Sequence, residues 1–462
     1  MREFCGVYGI YSFEGDNLAK LVYYGLFALQ HRGQESAGIA TTDGKDIKVH
    51  KGMGLCAVVF NEKILSSLTG KIACGHVRYS TTGSSSIENA QPIVMESKFG
   101  PLALGHNGNL VNAADLRAEL EDEGHIFTST TDSEIIAVLI SRSNEETLEK
   151  AIVSACKRAH GGFSLVIMTA DKLIGVRDPN GIRPLCVGKT ASSYVISSET
   201  AALDVIGADF LRDVANGEIV VIDKEGLRSI TYAPRARKAL CAFEYIYLAR
   251  PDSKLEGRNV FEARTIMGKY LAKENKVDAD IVVGVPDSGL NAATGYAQES
   301  KIPYAEGLIK NRYIGRTFIQ PTQAIRDMGV KLKLNPIRDV VRGKKLIVID
   351  DSIVRGTTSK QIVKILREAG AREVHMRVSS PPILYPCFYG IDTPSRSELI
   401  AANTSIEGIR KFLEADSLAY LSIRDLINSI NLPKGNLCLA CLNGDYCVEI
   451  PERMKNLSLI FK

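Results

Sequence analysis

The run VIDDSIVRGTTSKQIVKILREAG, residues 348–370, constrains the fold most. The apolar stretch KKLIVID ends on paired acids and crosses a turn of glycine and hydroxyl residues. It then enters a segment whose apolar positions recur at helical spacing, halts at Gly370 and resumes as EVHMRVSS. Strand, loop, helix and strand in that order predict a βαβ unit. Strands that are apolar throughout belong to a parallel sheet covered on both faces, and DADIVVGVP has the same character. Ligands of such sheets gather beyond the carboxyl ends of the strands, here Pro286-Asp287-Ser288-Gly289 and Asp350-Asp351-Ser352. Two adjacent carboxylates leaving a buried strand are costly unless their charge is offset. The loop SIVRGTTS offers backbone N–H groups, a helix start and the hydroxyls of Thr357, Thr358 and Ser359, a cradle for phosphate. An isolated acid pair reads as a capped turn with exposed aspartates. The thirteen residues VIDDSIVRGTTSK together read as a site for a ligand with a phosphate at one end and a diol or metal at the other. The spacing is not that of an ATP-binding P-loop.

The first half has a different texture. Short strand-like runs such as FSLVIMTA, SYVISS and EIVVID alternate with turn residues, and two amphipathic helical stretches fall near 16–30 and 132–142. This predicts a mostly antiparallel sheet structure layered with helices. At 462 residues the chain exceeds one ordinary core, so two or three domains are expected, with TYAPRARKALCAFEYIYLARPDS as the crossing. A net charge of +4 is small for this length and gives no reason to expect nucleic-acid binding. No apolar run approaches the roughly 20 residues of a membrane helix, and four residues ahead of Cys5 are too few for a signal peptide. A cytoplasmic, soluble enzyme is the expectation. Its thiols would be kept reduced, with Cys56, Cys74, Cys156 and Cys186 as ordinary buried residues.

The string VIDDSIVRGTTS resembles the phosphoribosyl-pyrophosphate (PRPP) motif of type I phosphoribosyltransferases, and GVPDSGLNAATGYA resembles their pyrophosphate loop. The resemblance implies that Asp350 and Asp351 meet the ribose hydroxyls. It places Ser352, Val354, Arg355, Gly356, Thr357 and Thr358 around the 5′-phosphate. Ser288, Asp350 and Asp351 would surround Mg²⁺, which prefers a few hard oxygen ligands completed by substrate phosphates. Between these loops, KNRYIGRTFIQPTQAIRDMGVKLKLNP is polar, basic and irregular. It is similar to the family's closing loop, with Arg312, Arg316, Lys331 and Lys333 against the departing pyrophosphate. An ordinary solvated charged loop is the other reading of the same residues.

In the first half QHRGQESAGIA, CGHVRYSTTG, GHNGNL and STTDSE follow CGVYGI in order. Together they resemble the N-terminal-nucleophile glutaminase domain of class II amidotransferases. Amide hydrolysis needs a nucleophile, a base, an oxyanion hole and grips for the charged ends of glutamine. Cys5 would attack as a thiolate. Once first in the chain, its α-amine, with a pKa of about 7.7–8.0, would be the base. Residues 1–4 are therefore expected to be a propeptide. The resemblance implies Asn107 and the Gly108 N–H as the oxyanion hole. Arg78 would pair with the α-carboxylate, Asp132 would hold the α-ammonium with Thr81 nearby, and Arg32 would lie close by in a structural and electrostatic role. His31, His76 and His106 read as hydrogen-bonded scaffold.

The combined order resembles the glutamine PRPP amidotransferase family over essentially the full length. The fold implied is α+β then α/β: an N-terminal-nucleophile αββα sandwich at 5–230, followed by a type I phosphoribosyltransferase parallel-sheet domain at 231–462. The implied reaction passes ammonia from glutamine to PRPP, giving 5-phosphoribosylamine, glutamate and pyrophosphate in purine synthesis. A glutaminase fused to a sugar-phosphate isomerase, or a PRPP-sensing regulator without catalysis, are the rival readings. Cys438-Leu-Ala-Cys441 alone is open between redox pair, zinc and iron–sulfur, and four thiolates would suit zinc too. The resemblance to the iron–sulfur branch implies a [4Fe–4S] cluster on Cys241, Cys387, Cys438 and Cys441, with Cys447 spare. It further implies purine nucleotides as feedback inhibitors and a homotetramer.

Overall fold

A computed structural model describes residues 5–15, 17–79, 85–234, 236–311, 334–391, 393, 395–433 and 435–455. Thr81, Arg312, Arg316, Lys331 and Lys333, named above, lie outside the described residues, as do residues 1–4.

The first half is built of two stacked antiparallel sheets. One has seven strands, with Gly6–Ser12 and Ile72–Arg78 side by side near its middle; the other has six, with Leu173–Arg177 and Gly161–Thr169 at its centre and Leu102–Leu110 beside the latter. Between the sheets lies a layer of Val7, Cys74, Val166, Met168, Ile196 and Val220, all essentially inaccessible to solvent. The helix Leu18–Ala28 covers the outer face of the first sheet. Asp132–Ser141 and Leu148–Arg158 cover the second. The four layers are those of an αββα sandwich, and they follow from strands that are apolar on both faces. Close packing shows at Gly9, where a Cβ would meet the side chains of Leu173 and Val166 at 2.8 Å across the sandwich.

The second half holds a four-stranded parallel sheet, Ile281–Gly284, Lys345–Asp350, Glu373–Val378 and Ser417–Tyr420. In Lys345–Asp350 the side chains of Leu346, Ile347, Val348 and Ile349 are wholly buried. At about 1.5–3 kcal/mol each, they offset the cost of delivering two acids to the strand end. The helix Thr357–Glu368 turns Ile362, Val363, Ile365 and Leu366 onto this sheet. The hairpin Leu308–Lys310 with Leu334–Pro336 flanks it.

Between the halves, Leu240–Cys241 and Leu437–Cys438 pair in parallel, setting Cys241 opposite Cys438. Cys56, Cys74, Cys156 and Cys186 are buried free thiols, as read from the sequence. Among the described residues no helix is long and apolar enough to cross a membrane.

Candidate active sites

Cys5 stands at the head of the strand Gly6–Ser12 and is nearly inaccessible. Its Sγ donates to the Tyr79 carbonyl at 3.5 Å. Gly6 pairs with Val77, so the neighbouring strand delivers Arg78 beside the thiol. Burial pushes the Cys5 thiol up to about 11, while Arg78 pulls it down and Asp132 and Glu35 push it further up. These four side chains therefore share one electrostatic neighbourhood. Glu35, which sequence reasoning passed over inside QHRGQE, lies 3.8 Å from Arg78 and helps to hold that guanidinium.

Asn107 and Gly108 lie within Leu102–Leu110. The Asn107 side chain is fully buried, and among the described residues neither its Oδ1 nor its Nδ2 has a hydrogen-bond partner. A buried amide without partners inside the fold is costly, about 1–3 kcal/mol, and calls for a polar partner. Asp132 begins the helix Asp132–Ser141; its Oδ2 accepts from the Leu110 N–H at 2.9 Å and its Oδ1 lies 3.6 Å from His106. The preceding turn is fixed by Glu134, which accepts from the backbone N–H and hydroxyl groups of Thr128 and Ser129. His76 bonds the His106 carbonyl, and His106 bonds the Ser133 hydroxyl.

Arg32 is held differently from the other named residues. Its guanidinium is buried and pairs with Glu199 and, at 2.6 Å, with Glu244. His31 also meets Glu199, at 2.7 Å. Neither glutamate carried a sequence signal, because each stands alone in an ordinary strand-end or crossing segment.

In the second half the strand ends bring Ser288, Asp350, Asp351 and Ser352 together. Ser288 and Ser352 donate to the two oxygens of Asp351 at 2.6 and 2.5 Å, and the Asp351 N–H donates to Asp350 at 3.0 Å. Both aspartates are buried. Burial, then the adjacent Asp351 charge, drives the Asp350 carboxyl well above its ordinary value. Hard oxygens crowded in this way suit a divalent cation. The loop after them turns through Gly356, whose φ of +76° is in the left-handed region, and opens the helix at Thr357 with Thr357 and Thr358 exposed. Val354 is buried, while Arg355 reaches out to Glu398 at 2.9 Å. Lys310, not singled out from the sequence, pairs with Asp287 beside Ser288. Arg264 is buried and donates to the carbonyls of Tyr245 and Ala249.

Cys241, Cys387, Cys438 and Cys441 gather where the halves join. Burial raises Cys441, and the charges of Cys387, Cys241 and Cys438 raise it further. Cys447 also stands against Cys438. Among the described residues no three His, Cys, Asp or Glu side chains form a group that could hold a metal ion.

Comparison with known proteins adds to this geometry. Residues 76–205 match a glutamine amidotransferase domain and residues 257–380 a phosphoribosyl transferase domain. The amidophosphoribosyltransferase of Synechococcus elongatus is 53% identical over 100% of this chain and 94% of its own length. That of Bacillus subtilis is 50% identical over 97% and 95%. A solved structure of the B. subtilis glutamine PRPP amidotransferase, complexed with ADP and GMP, superposes with a TM-score of 0.92. It is 49% identical over 97% of this chain and 98% of that one. With this identity over essentially the full length, the chain belongs to the amidophosphoribosyltransferase family.

Proposed function

We propose that the two halves, 5–230 and 231–462, perform the family's glutamine-dependent amidation of PRPP with the residues gathered above. Cys5 attacks the side-chain amide of glutamine, ammonia leaves, and water hydrolyses the thioester to glutamate. Asn107 and the Gly108 N–H receive the oxyanion, Arg78 pairs with the α-carboxylate, and Asp132 with Thr81 holds the α-ammonium. Arg32 supports this site through its buried ion pairs. The ammonia attacks C1 of PRPP, releasing pyrophosphate and forming 5-phosphoribosylamine. The observation that carries the reading is the buried Asn107 amide, without partners among the described residues, in the same half as a thiol that feels the charges of Arg78 and Asp132.

At the second site Asp350 and Asp351 hold the ribose hydroxyls, and Ser352, Val354, Arg355, Gly356, Thr357 and Thr358 hold the 5′-phosphate. Arg316 and Lys333 act on the pyrophosphate. Mg²⁺ bound with Ser288, Asp350 and Asp351 would supply charge neutralisation. The crowded, hydrogen-bonded oxygens of Asp351 support that assignment. No protein nucleophile is needed; orientation and charge carry the step.

Cys241, Cys387, Cys438 and Cys441 would hold a [4Fe–4S] cluster with a structural role. Support comes from the pairing that sets Cys241 opposite Cys438 and from the charges of Cys387, Cys241 and Cys438 acting on buried Cys441. Whatever precedes Cys5 must be removed before its amine can act as base. Purine nucleotides are assigned as feedback inhibitors, a role for which the nucleotides bound to the B. subtilis relative speak. A cytoplasmic homotetramer completes the proposal.

The test incubates chain beginning at Cys5 with glutamine, PRPP and Mg²⁺ and measures glutamate and pyrophosphate together. Equal amounts of both are expected. Absence of pyrophosphate would overturn the transfer reading. Full glutamine-dependent activity in a chain still blocked ahead of Cys5 would overturn the role of its amine.

A further inference from the structure

Two backbones from opposite halves of the chain meet at Gly108. A Cβ placed on Gly390 would lie 3.0 Å from the carbonyl carbon of Gly108, 3.1 Å from its oxygen and 3.2 Å from its Cα. Gly390 has φ +109° and Gly108 φ +149°, so both positions also disfavour a side chain on conformational grounds. On its other flank Gly108 is as tightly enclosed, because a Cβ there would fall on the Gly162 carbonyl. The residues beside the contact are tied across the same boundary. Asn109 Nδ2 donates to the Phe388 carbonyl at 2.9 Å. Arg183 donates through Nε and Nη2 to the Tyr389 carbonyl at 3.1 and 2.5 Å. Both donors are buried.

We infer that segment 388–390, held by Asn109 and Arg183, is a positioning brace that fixes the Gly108 backbone where glutamine hydrolysis needs it. A loop of the transferase half is thereby a required part of the glutaminase half. This rests on the assignment of Asn107 and Gly108 as oxyanion donors. Such donors work only when they lie about 2.7–3.1 Å from the oxyanion, and a 1 Å misplacement can cost about a hundredfold in rate. The contact at Gly108 leaves no slack: any inward shift of Gly390 is transmitted backbone to backbone, and any outward shift removes one wall of the clamp.

The experiment uses the full chain beginning at Cys5 and the variants Gly390→Ala and Asn109→Ala. Expected for Gly390→Ala is a fall of about tenfold to a hundredfold in kcat for glutamine hydrolysis, with the glutamine KM within about twofold. Asn109→Ala should move kcat in the same direction by a smaller factor. Ammonia-dependent pyrophosphate release and total iron should match the parent chain. Alkylation of Cys5 by iodoacetamide, followed by mass spectrometry of the N-terminal peptide, should keep its rate, because displacement at a saturated carbon needs no oxyanion hole. Parallel loss of both activities, slowed alkylation of Cys5, or an unchanged kcat in both variants would overturn the brace. A parent chain without glutamine hydrolysis would instead refute the proposed function. An Asn107→Ala chain with undiminished kcat would remove the oxyanion assignment and the brace with it.

Discussion

Asn107 is a residue whose fold leaves its chemistry unfinished. On the proposed assignment the buried Nδ2–H of this amide donates to the developing oxyanion, an interaction made in the transition state. Asn107→Ala is expected to lower kcat for glutamine hydrolysis by about 10²–10³-fold. Pyrophosphate release from PRPP with free ammonia should be unchanged, so the ratio of the two activities is the measurement. The histidines around this amide act on stability. Burial lowers His76 to about 3, so it is neutral in the folded protein where an unfolded histidine would bind a proton, and burial shifts His106 in the same direction. The unfolded chain thus takes up more protons as pH drops below about 6.5, and stability falls with a slope of up to about 1.4 kcal/mol per pH unit for each fully shifted group. Denaturation midpoints between pH 7 and pH 4 should decline accordingly, and His76→Gln should flatten that decline. A midpoint indifferent to pH over this interval would contradict the assignment of His76 as neutral.

The elements that position the second site could be read from residue order because their signals are local. Lys345–Asp350, Thr357–Glu368 and Glu373–Val378 follow from an apolar run, a helical repeat and Gly370 as a stop. The acid pair and the hydroxyl-rich turn stood out as a candidate site through charge that is costly at a buried strand end. The αββα sandwich was legible only through resemblance, since period-two patterning disappears when both faces of a strand are buried. Partners distant in sequence gave no sign: Glu199 lies 167 positions from Arg32, and Glu244 lies 212 from it. Gly289 shows how the two strand-end loops are matched. A Cβ there would fall on the Ile349 carbonyl and come within 3.0 Å of Val285. Gly289→Ala should therefore push the Ser288 loop off the Asp350–Asp351 strand end. The expected outcome is an increase of about tenfold or more in the PRPP KM, with glutamine hydrolysis in the absence of PRPP retained. Equal damage to both reactions would mean that the substitution unfolds the sheet.

On the scale of the whole molecule, a buried cluster of charge joins the halves. Glu199 accepts from Arg32, from the Arg250 N–H at 2.9 Å and from the Ser253 hydroxyl at 2.6 Å, with His31 against the same carboxylate. Arg32 continues to Glu244, which Arg183 approaches to 3.7 Å. Burial alone would raise the Glu199 carboxyl, but Arg32 and His31 outweigh it and hold it far below its ordinary value. A carboxyl depressed in the folded state stabilises the fold above its unfolded pKa, near 4.3, and that contribution is lost as pH falls toward the folded value. Replacing one partner in such a cluster leaves an uncompensated buried charge, a loss of about 3–5 kcal/mol. Glu199→Gln and Glu244→Gln are each expected to destabilise on that scale at pH 7. The double variant should depart from additivity by about 0.5–3 kcal/mol, because both carboxylates share Arg32. Calorimetry gives a second readout: a parent chain melting in one transition should separate into two when the cluster is broken, as each half keeps its own sheets and core. Additive effects with a single transition in the double variant would show that the halves are held by their apolar contacts and that the charge cluster only fills the space between them.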